Sequence, residues 1–177
     1  SLLQSIGDFA FEVCSSLASI EIPSSVTSIG GSAFHDCSNL QSVYIADMAV
    51  WLGIDFVNGS ANPLNNGADL YLNGALVTSA VIPSGITKIS NNAFNGCTSL
   101  ASIEIPSGVT SIGNYMFDGF SNLQKVYYGG NEEQWGDISI SYNNNYLTGA
   151  TRYYYSETEP AQEGNFWHKV DGEIVEW

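Results

Sequence analysis

The chain has 177 residues, of which 44% are apolar, and its 18 Asp and Glu outnumber four Lys and Arg to give a formal net charge of −14 at pH 7. The length fits one domain with a sizeable core, whereas the charge argues against nucleic acid and anionic lipid surfaces as partners, because both would be repelled. The sequence contains no run of about 18 apolar residues, so it predicts no membrane insertion.

A phrase of 23 residues recurs along the chain. It occupies residues 5–27 and returns at 28–46, 88–110 and 111–130, with a partial copy at 77–87. Fixed periods of this length mark units that stack on one another, because a single unit cannot bury its own apolar face. The sequence therefore predicts one solenoid domain that takes in the whole chain.

The sequence of each unit predicts two short strands and one tight turn. Leu17–Pro23 alternates apolar and polar residues at its end and stops at proline, which is typical of a short strand. Val26–Gly30 is a second extended piece, and Ala10-Phe11 suggests a helical or 3₁₀ turn that directs the phenylalanine inward. Stacked units then form a parallel sheet and an internal aromatic ladder of Phe11, Phe34, Phe94 and Phe117.

The three cysteines share one repeat position. Cys14, Cys37 and Cys97 align with one another, and the last full unit has Phe120 in that place. A position that accepts Cys or Phe is an apolar core position. We therefore expect free thiols in the core, rather than a disulfide between Cys14 and Cys37 or a zinc site, for which the chain has no ligand spacing.

Two inserts follow a larger period of 83 residues, with each pair of units followed by one insert. The inserts occupy residues 47–76 and 131–155, and they open on Asp47 and Asn131, which suit the N-cap of a short helix. Trp51 and Trp135 follow at matching positions. We expect both tryptophans to pack those helices onto the solenoid.

Two dipeptides predict hairpins. Asn73-Gly74 separates two apolar stretches in the first insert, and Asp171-Gly172 separates two more in the C-terminal segment. Both dipeptides favour two-residue turns between antiparallel strands. We expect the second hairpin, within a cap formed by residues 156–177, to close the end of the solenoid.

The sequence offers no convergent set of catalytic groups. His35 falls at a variable loop position, and His168 lies in the predicted cap. The paired carboxylates Glu132 and Glu133 open a predicted helix, where acidic groups favour the dipole. The chain is therefore predicted to be no enzyme, and to need no metal or other cofactor.

Two surfaces could bind a partner. One residue of each strand points away from the core, and this outward row comprises Glu21, Tyr44, Val81, Glu104 and Tyr127. Tyrosine gives contact area at low entropic cost, so this row could bind a protein. The same residues also fit an ordinary exposed sheet with no partner. Alternatively, insert aromatics such as Tyr142 and Tyr146 could stack on sugars, or the chain could be a passive spacer.

The repeated phrase resembles a known family. S-I-G-x-x-A-F-x-x-C-x-x-L-x-x-I-x-I-P-x-x-V-T, at Ser5–Thr27, is similar to the leucine-rich repeat of BspA-type bacterial surface proteins, and the resemblance covers residues 5–46 and 77–130. It implies a β-dominant leucine-rich-repeat solenoid of the α/β horseshoe class. It also implies a secreted or wall-attached protein that binds host matrix proteins, other bacteria or surface glycans, and it supplies no catalytic residues.

These observations together predict a non-enzymatic extracellular adhesion module. We expect a surface or matrix protein, or a glycan, as its partner. Leu3-Gln4 matches the end of a repeat unit, which suggests that the chain is part of a larger secreted protein whose solenoid begins before residue 1. The sequence leaves the oligomeric state open.

Overall fold

The computed structural model describes residues 3–119 and 122–177. Phe120, which the sequence places at the cysteine position of the fourth unit, lies outside the described residues. The first half of the described chain contains these elements in order: β1 (Ser5–Ile6), β2 (Ser19–Glu21), β3 (Ser28–Ile29), β4 (Ser42–Ile45), α1 (Met48–Gly53), β5 (Asp55–Phe56), two 3₁₀ helices (Gly59–Ala61 and Pro63–Asn66), β6 (Asp69–Leu72) and β7 (Ala75–Leu76).

The second half repeats this plan and adds a terminal hairpin. Its elements are β8 (Ser79–Val81), β9 (Lys88–Ile89), β10 (Ser102–Ile105), β11 (Ser111–Ile112), β12 (Lys125–Tyr128), α2 (Glu132–Gly136), β13 (Ser139–Ile140), α3 (Asn145–Gly149), β14 (Thr151–Tyr155), β15 (Phe166–Val170) and β16 (Glu173–Glu176).

Each half contains one main sheet and one short ladder. The first main sheet has the order β2-β4-β6-β7 and the first short ladder β1-β3-β5, whereas the second main sheet runs β8-β10-β12-β14-β15-β16 and the second ladder β9-β11-β13. Like positions of successive units face one another, as in Ser5 opposite Ser28 and Ser102 opposite Lys125. The predicted leucine-rich-repeat solenoid with parallel sheets is confirmed.

The inserts continue the stack as further coils. In the first insert, β5 pairs with β3 and β6 pairs with β4, both in parallel. In the second, β13 pairs with β11 and β14 with β12 in the same way. Helices α1 and α2 therefore enlarge a corner of a coil, and the side chains of Asp47 and Asn131 cap them as predicted.

The predicted aromatic ladder forms as two stacked pairs. Phe11 and Phe34 lie 5.1 Å apart with an interplanar angle of 11°, and Phe94 and Phe117 lie 5.8 Å apart at 13°. Phe34, Phe94 and Phe117 are fully buried, whereas Phe11 is half-buried in the first coil. Each ring covers the ring of its neighbouring coil, so the core continues along the solenoid axis.

The three thiols are free, as predicted. Cys37 and Cys97 are buried, and Cys14 is partly exposed in the first coil. The Cys37 thiol donates a hydrogen bond to the Phe11 carbonyl oxygen at 3.0 Å. Burial raises the pKa of the Cys97 thiol to about 11, so this thiol stays protonated and packs as a small apolar group at neutral pH.

The turns that contain Phe11 and its equivalents are also joined by backbone hydrogen bonds, in addition to those of the main sheets and the short ladders. The amides of Phe9, Phe11 and Val13 donate to the carbonyls of the next coil, and those of Asn92, Phe94 and Gly96 repeat the pattern. Two positions of each turn have positive φ. In the four units, the first position is occupied by Phe9, Ser32, Asn92 and Tyr115, and the second by Val13, Asp36, Gly96 and Gly119. The left-handed conformation is therefore a requirement of the repeat.

The first insert joins the two halves. The Trp51 indole donates to the Ala93 carbonyl at 2.9 Å, and the Asn62 amide donates to the Asn92 carbonyl at 2.6 Å. Gly96 lies so close to the Leu64 carbonyl that a Cβ atom would overlap it. One apolar core runs through both halves as a result.

Phe94→Ala should lower the free energy of unfolding by about 3–5 kcal/mol, because it removes a fully buried ring and leaves a cavity. Urea denaturation followed by tryptophan fluorescence measures this change. The control is Phe9→Ala, at a side chain that is 58% exposed. Equal effects of the two substitutions would contradict the ladder.

Val13→Gly should raise the free energy of unfolding by about 0.5–1 kcal/mol. Val13 is β-branched and has φ of 57°, which costs roughly 1–2 kcal/mol in an L-residue, and the greater backbone entropy of glycine offsets only part of that gain. Val13→Ala is the control, because alanine keeps the unfavourable conformation. The interpretation fails if the two variants are equally stable by urea denaturation.

Candidate functional site

An open row of outward residues lies on the first main sheet. Glu21, Tyr44 and Tyr71 face one another across β2, β4 and β6. The rings of Tyr44 and Tyr71 stack at 5.0 Å. Glu21 and Tyr44 are exposed, as the strand alternation predicts, while Val43 and Leu70 point into the core.

Tyr71 was not among the predicted site residues. It lies in the first insert, outside the 23-residue phrase, so the repeat alignment did not include it. The alternation of Asp69, Leu70, Tyr71 and Leu72 is the signal that could have placed it. With Tyr71, the open face has two stacked tyrosines beside one carboxylate.

In the described ranges, the outward row of the second main sheet is largely covered, because the C-terminal hairpin folds back over it. The hairpin itself forms as predicted, with β15 antiparallel to β16. Tyr127 is only 7% exposed, so the expectation that it points into solvent is wrong. The side chain of Glu104 is 14% exposed.

Three polar contacts hold the hairpin on this sheet. Glu176 accepts hydrogen bonds from Lys125 Nζ at 2.6 Å and from the Tyr127 hydroxyl at 2.5 Å. Lys169 Nζ lies 2.9 Å from a Glu104 carboxylate oxygen. In each ion pair the two strands are three positions apart in the sheet, which in a flat sheet would be about 14 Å. The sheet must therefore curl so that its last strands approach β10 and β12.

Aromatic packing closes the end of the curled sheet. Trp167 is buried, and its indole donates to the Tyr128 carbonyl at 2.8 Å. Its ring also contacts Tyr127 edge-on at 5.8 Å. Trp177 stacks on His168 at 3.9 Å. Trp167 therefore packs within the curled sheet, and Trp177 packs against the hairpin itself.

The contacts between the hairpin and the sheet shift the pKa values of Glu176, Tyr127 and Lys125. Burial pushes the pKa of Glu176 upward, but hydrogen bonds from Lys125, Tyr127 and Tyr153 outweigh that effect and lower it. Burial and the Glu176 carboxylate together raise the pKa of Tyr127 to about 12. The hydrogen bond to Glu176 is the main reason that the pKa of Lys125 is raised. Glu176 is thus an anion and Tyr127 a neutral donor at pH 7.

The insert aromatics divide into buried and exposed groups. Trp51 is 1% exposed and Trp135 is 7% exposed, so both pack helices onto the solenoid as predicted. Arg152 lies over the Trp135 ring at 4.2 Å. Tyr142 and Tyr146 are exposed, and Tyr142 contacts the Tyr115 ring edge-on at 5.0 Å.

A second group of titratable side chains surrounds His35. His35 is in an exposed loop, with its Nδ1 atom 3.5 Å from Asp36 and 3.9 Å from Glu12. Residues 3–119 and 122–177 contain no group of three or more His, Cys, Asp or Glu side chains that could hold a metal ion. Within the same ranges, no helix has the length and hydropathy needed to cross a membrane.

The register, the parallel strands and the internal ladder define a leucine-rich-repeat solenoid. A family model described as a BspA type leucine rich repeat region matches residues 1–54 and 67–149 in six copies. The chain therefore belongs to the BspA-type leucine-rich-repeat family. The match includes β6 and α2, in agreement with the finding that the inserts are coils of the stack.

Three solved structures are similar to the chain. The first is a leucine-rich cell surface protein from Faecalibacterium prausnitzii, with 35% identity over 77% of this chain and 32% of that protein, at a TM-score of 0.44. The T. pallidum leucine-rich repeat protein has 27% identity over 72% and 67%, at 0.39. A leucine-rich repeat protein from Eubacterium ventriosum has 17% identity over 71% and 57%, at 0.25.

The family assignment indicates a general class of function. The chain spans about a third of the length of the Faecalibacterium protein, and no curated protein matches it. BspA-like repeat proteins are bacterial cell-surface proteins. Leucine-rich-repeat domains generally mediate protein interactions, and the family is generally non-enzymatic.

Glu176→Gln should destabilise the protein at pH 7 but not at low pH. The pKa of Glu176 is lowered from its usual 4.5 in the folded protein, so its contribution is full above that value and disappears as pH falls through the lowered pKa. The difference in unfolding free energy between wild type and variant should therefore be largest above pH 4.5 and should shrink as the pH falls through the lowered pKa of Glu176. Urea denaturation at each pH measures it.

Glu173→Gln is the matched control for this experiment. Glu173 lies on the same strand, and its side chain makes no hydrogen bond or ion pair with the described residues. Its substitution should change the unfolding free energy little at either pH. A pH-independent difference for Glu176→Gln would show that the carboxylate does not hold the hairpin.

Proposed function

We propose that the chain is a non-enzymatic extracellular adhesion module that binds a surface protein of a host or another microbe. The binding surface is the open face of the first main sheet, with Glu21, Tyr44 and Tyr71. The stacked pair Tyr44–Tyr71 is the observation that carries the proposal. The family assignment supports the class of function, since leucine-rich-repeat domains generally mediate protein interactions.

The two tyrosines suit protein recognition physically. They stand on β4 and β6, whose backbones pair in register, so binding orders few additional groups. Tyrosine has a large apolar ring and a polar hydroxyl, and it is enriched where proteins meet. A rigid aromatic pair reduces the entropic cost of forming the interface.

The charge of the chain indicates the chemistry of the partner. Glu21 lies beside Tyr44 across the sheet, and the whole chain has a formal charge of −14. A basic surface would therefore be attracted over a distance and would associate faster at low salt. We propose a partner that presents Lys or Arg around an apolar patch.

The other residues that the sequence predicts to bind a ligand lie away from the open face of the first main sheet. Glu104 and Tyr127 lie under the C-terminal hairpin, where they border a cleft of about 300 Å³ with Val81 and Lys169. In this proposal they stabilise the curled end of the second sheet. Tyr142 and Tyr146 lie in the second insert, outside both main sheets.

Tyr44→Ala combined with Tyr71→Ala should weaken binding at least about tenfold, because stacked aromatic anchors are typical hot spots. The measurement is biolayer interferometry of the purified chain against a panel of immobilised extracellular-matrix proteins at physiological salt. Glu21→Gln should mainly slow association, and this effect should fade as salt increases.

Tyr146→Ala is the matched control, because it removes a similarly exposed tyrosine from the second insert. It should leave binding unchanged. If it abolishes binding while the double variant binds normally, the site is in the insert. If no panel protein binds the wild type, the adhesion proposal is rejected for that panel.

A further inference from the structure

A polar groove lies where the first insert meets the turns of the second half. It consists of two clefts of about 390 and 330 Å³ that share Asn58, Gly59, Asn92 and Tyr115. Ligand pockets commonly measure about 300–1,000 Å³, so each cleft is large enough for a small ligand. The groove involves neither main sheet.

Neutral amides dominate the lining of this groove. Side chains of Asn58, Asn65, Asn91, Asn92, Asn95 and Asn114 line it, together with Tyr115 and Tyr142. Asp118, at one end, is the single charged residue of the lining within the described ranges. This neutrality contrasts with a chain that has 18 acidic residues.

Two of these asparagines present unpaired side-chain amides to the groove. Asn92 and Asn95 are each 5% exposed, and neither side chain makes a hydrogen bond with the residues that the structure describes. Asn62 and Asn144 are also buried, but their amides bond to backbone groups. Neither amide is enclosed away from the groove, so Asn92 and Asn95 keep unused hydrogen-bonding capacity there.

The stacked coils hold the groove residues in place. Asn92 and Tyr115 occupy the same repeat position, with φ of 62° and 56°. The backbone N–H of Asn92 donates a hydrogen bond to the backbone carbonyl of Asn114 at 3.0 Å. The side-chain oxygen Oδ1 of Asn58 accepts a hydrogen bond from the Ala61 backbone N–H at 2.9 Å, which leaves the side-chain NH₂ group of Asn58 available. The donors are therefore fixed before any ligand arrives.

We propose that this groove binds a neutral carbohydrate. Each amide can donate and accept at once, which matches the hydroxyl groups of a sugar, where every oxygen also does both. The ring of Tyr142 is 62% exposed and lies at a steep angle to the ring of Tyr115, so exposed aromatic surface is available to the apolar C–H face of a sugar ring. An anionic glycan would meet Asp118 and the acidic surface instead.

Isothermal titration calorimetry tests this proposal with linear hexasaccharides of glucose, xylose, mannose and galactose. Sialyllactose and a heparin hexasaccharide are the charged comparisons. We expect saturable binding of at least one neutral sugar and none of the charged ones. Tyr142→Ala and Asn92→Gly, which keeps the positive φ available, should each weaken binding at least tenfold.

Asn95→Leu separates a binding role from a structural one. It should abolish sugar binding with little change in the free energy of unfolding, because the Asn95 side chain makes no hydrogen bond with the described residues and leucine is an apolar group of similar size. The sheet variant with Tyr44→Ala and Tyr71→Ala should bind the sugar normally, so the result is independent of the protein-binding proposal.

Three results would overturn the proposal. One is the absence of saturable binding to all four neutral sugars at millimolar concentration. Another is sugar binding that the groove variants retain. The third is a preference for sialyllactose or heparin, which would place the site at a basic surface rather than at these amides.

Discussion

In-register pairing between successive coils is the constraint on which the rest of this structure depends. Most of the strands have only two to four residues, too few to be stable alone, and each is held by the same position of the next coil. Equivalent side chains therefore lie directly above one another. Phe11 stacks on Phe34 and Tyr44 on Tyr71. Each row of side chains along the solenoid axis therefore comes from equivalent positions of successive coils.

Periodicity made much of this architecture predictable. Local sequence is sufficient to predict the inward-facing residues and the hairpin turns. It is also sufficient to predict the helix caps at Asp47 and Asn131. The burial of Tyr127 depends on Glu176, 49 residues away, and on the curl of a whole sheet. The amide groove was also missed, because Asn92 and Tyr115 fall at a variable position whose left-handed turn becomes visible only when the coils are stacked.

The two halves share a plan but end differently. The first main sheet stops at the short strand β7, which leaves Tyr44 and Tyr71 accessible. The second continues into β15 and β16, which fold back and cover Tyr127. The repeated plan thus leaves one sheet face open and the other covered, while the groove lined by asparagines lies at the junction between the halves.

Gly96 shows that the coils of this solenoid are not interchangeable parts. Its equivalents are Val13, Asp36 and Gly119, yet the Leu64 carbonyl leaves no room for a side chain at Gly96. A chimera that replaced residues 88–110 with 5–27 would bring Val13 into that contact and separate the halves. The near-identity of the repeated phrase therefore conceals a fixed order, in which a coil is defined by its neighbours as much as by its own sequence.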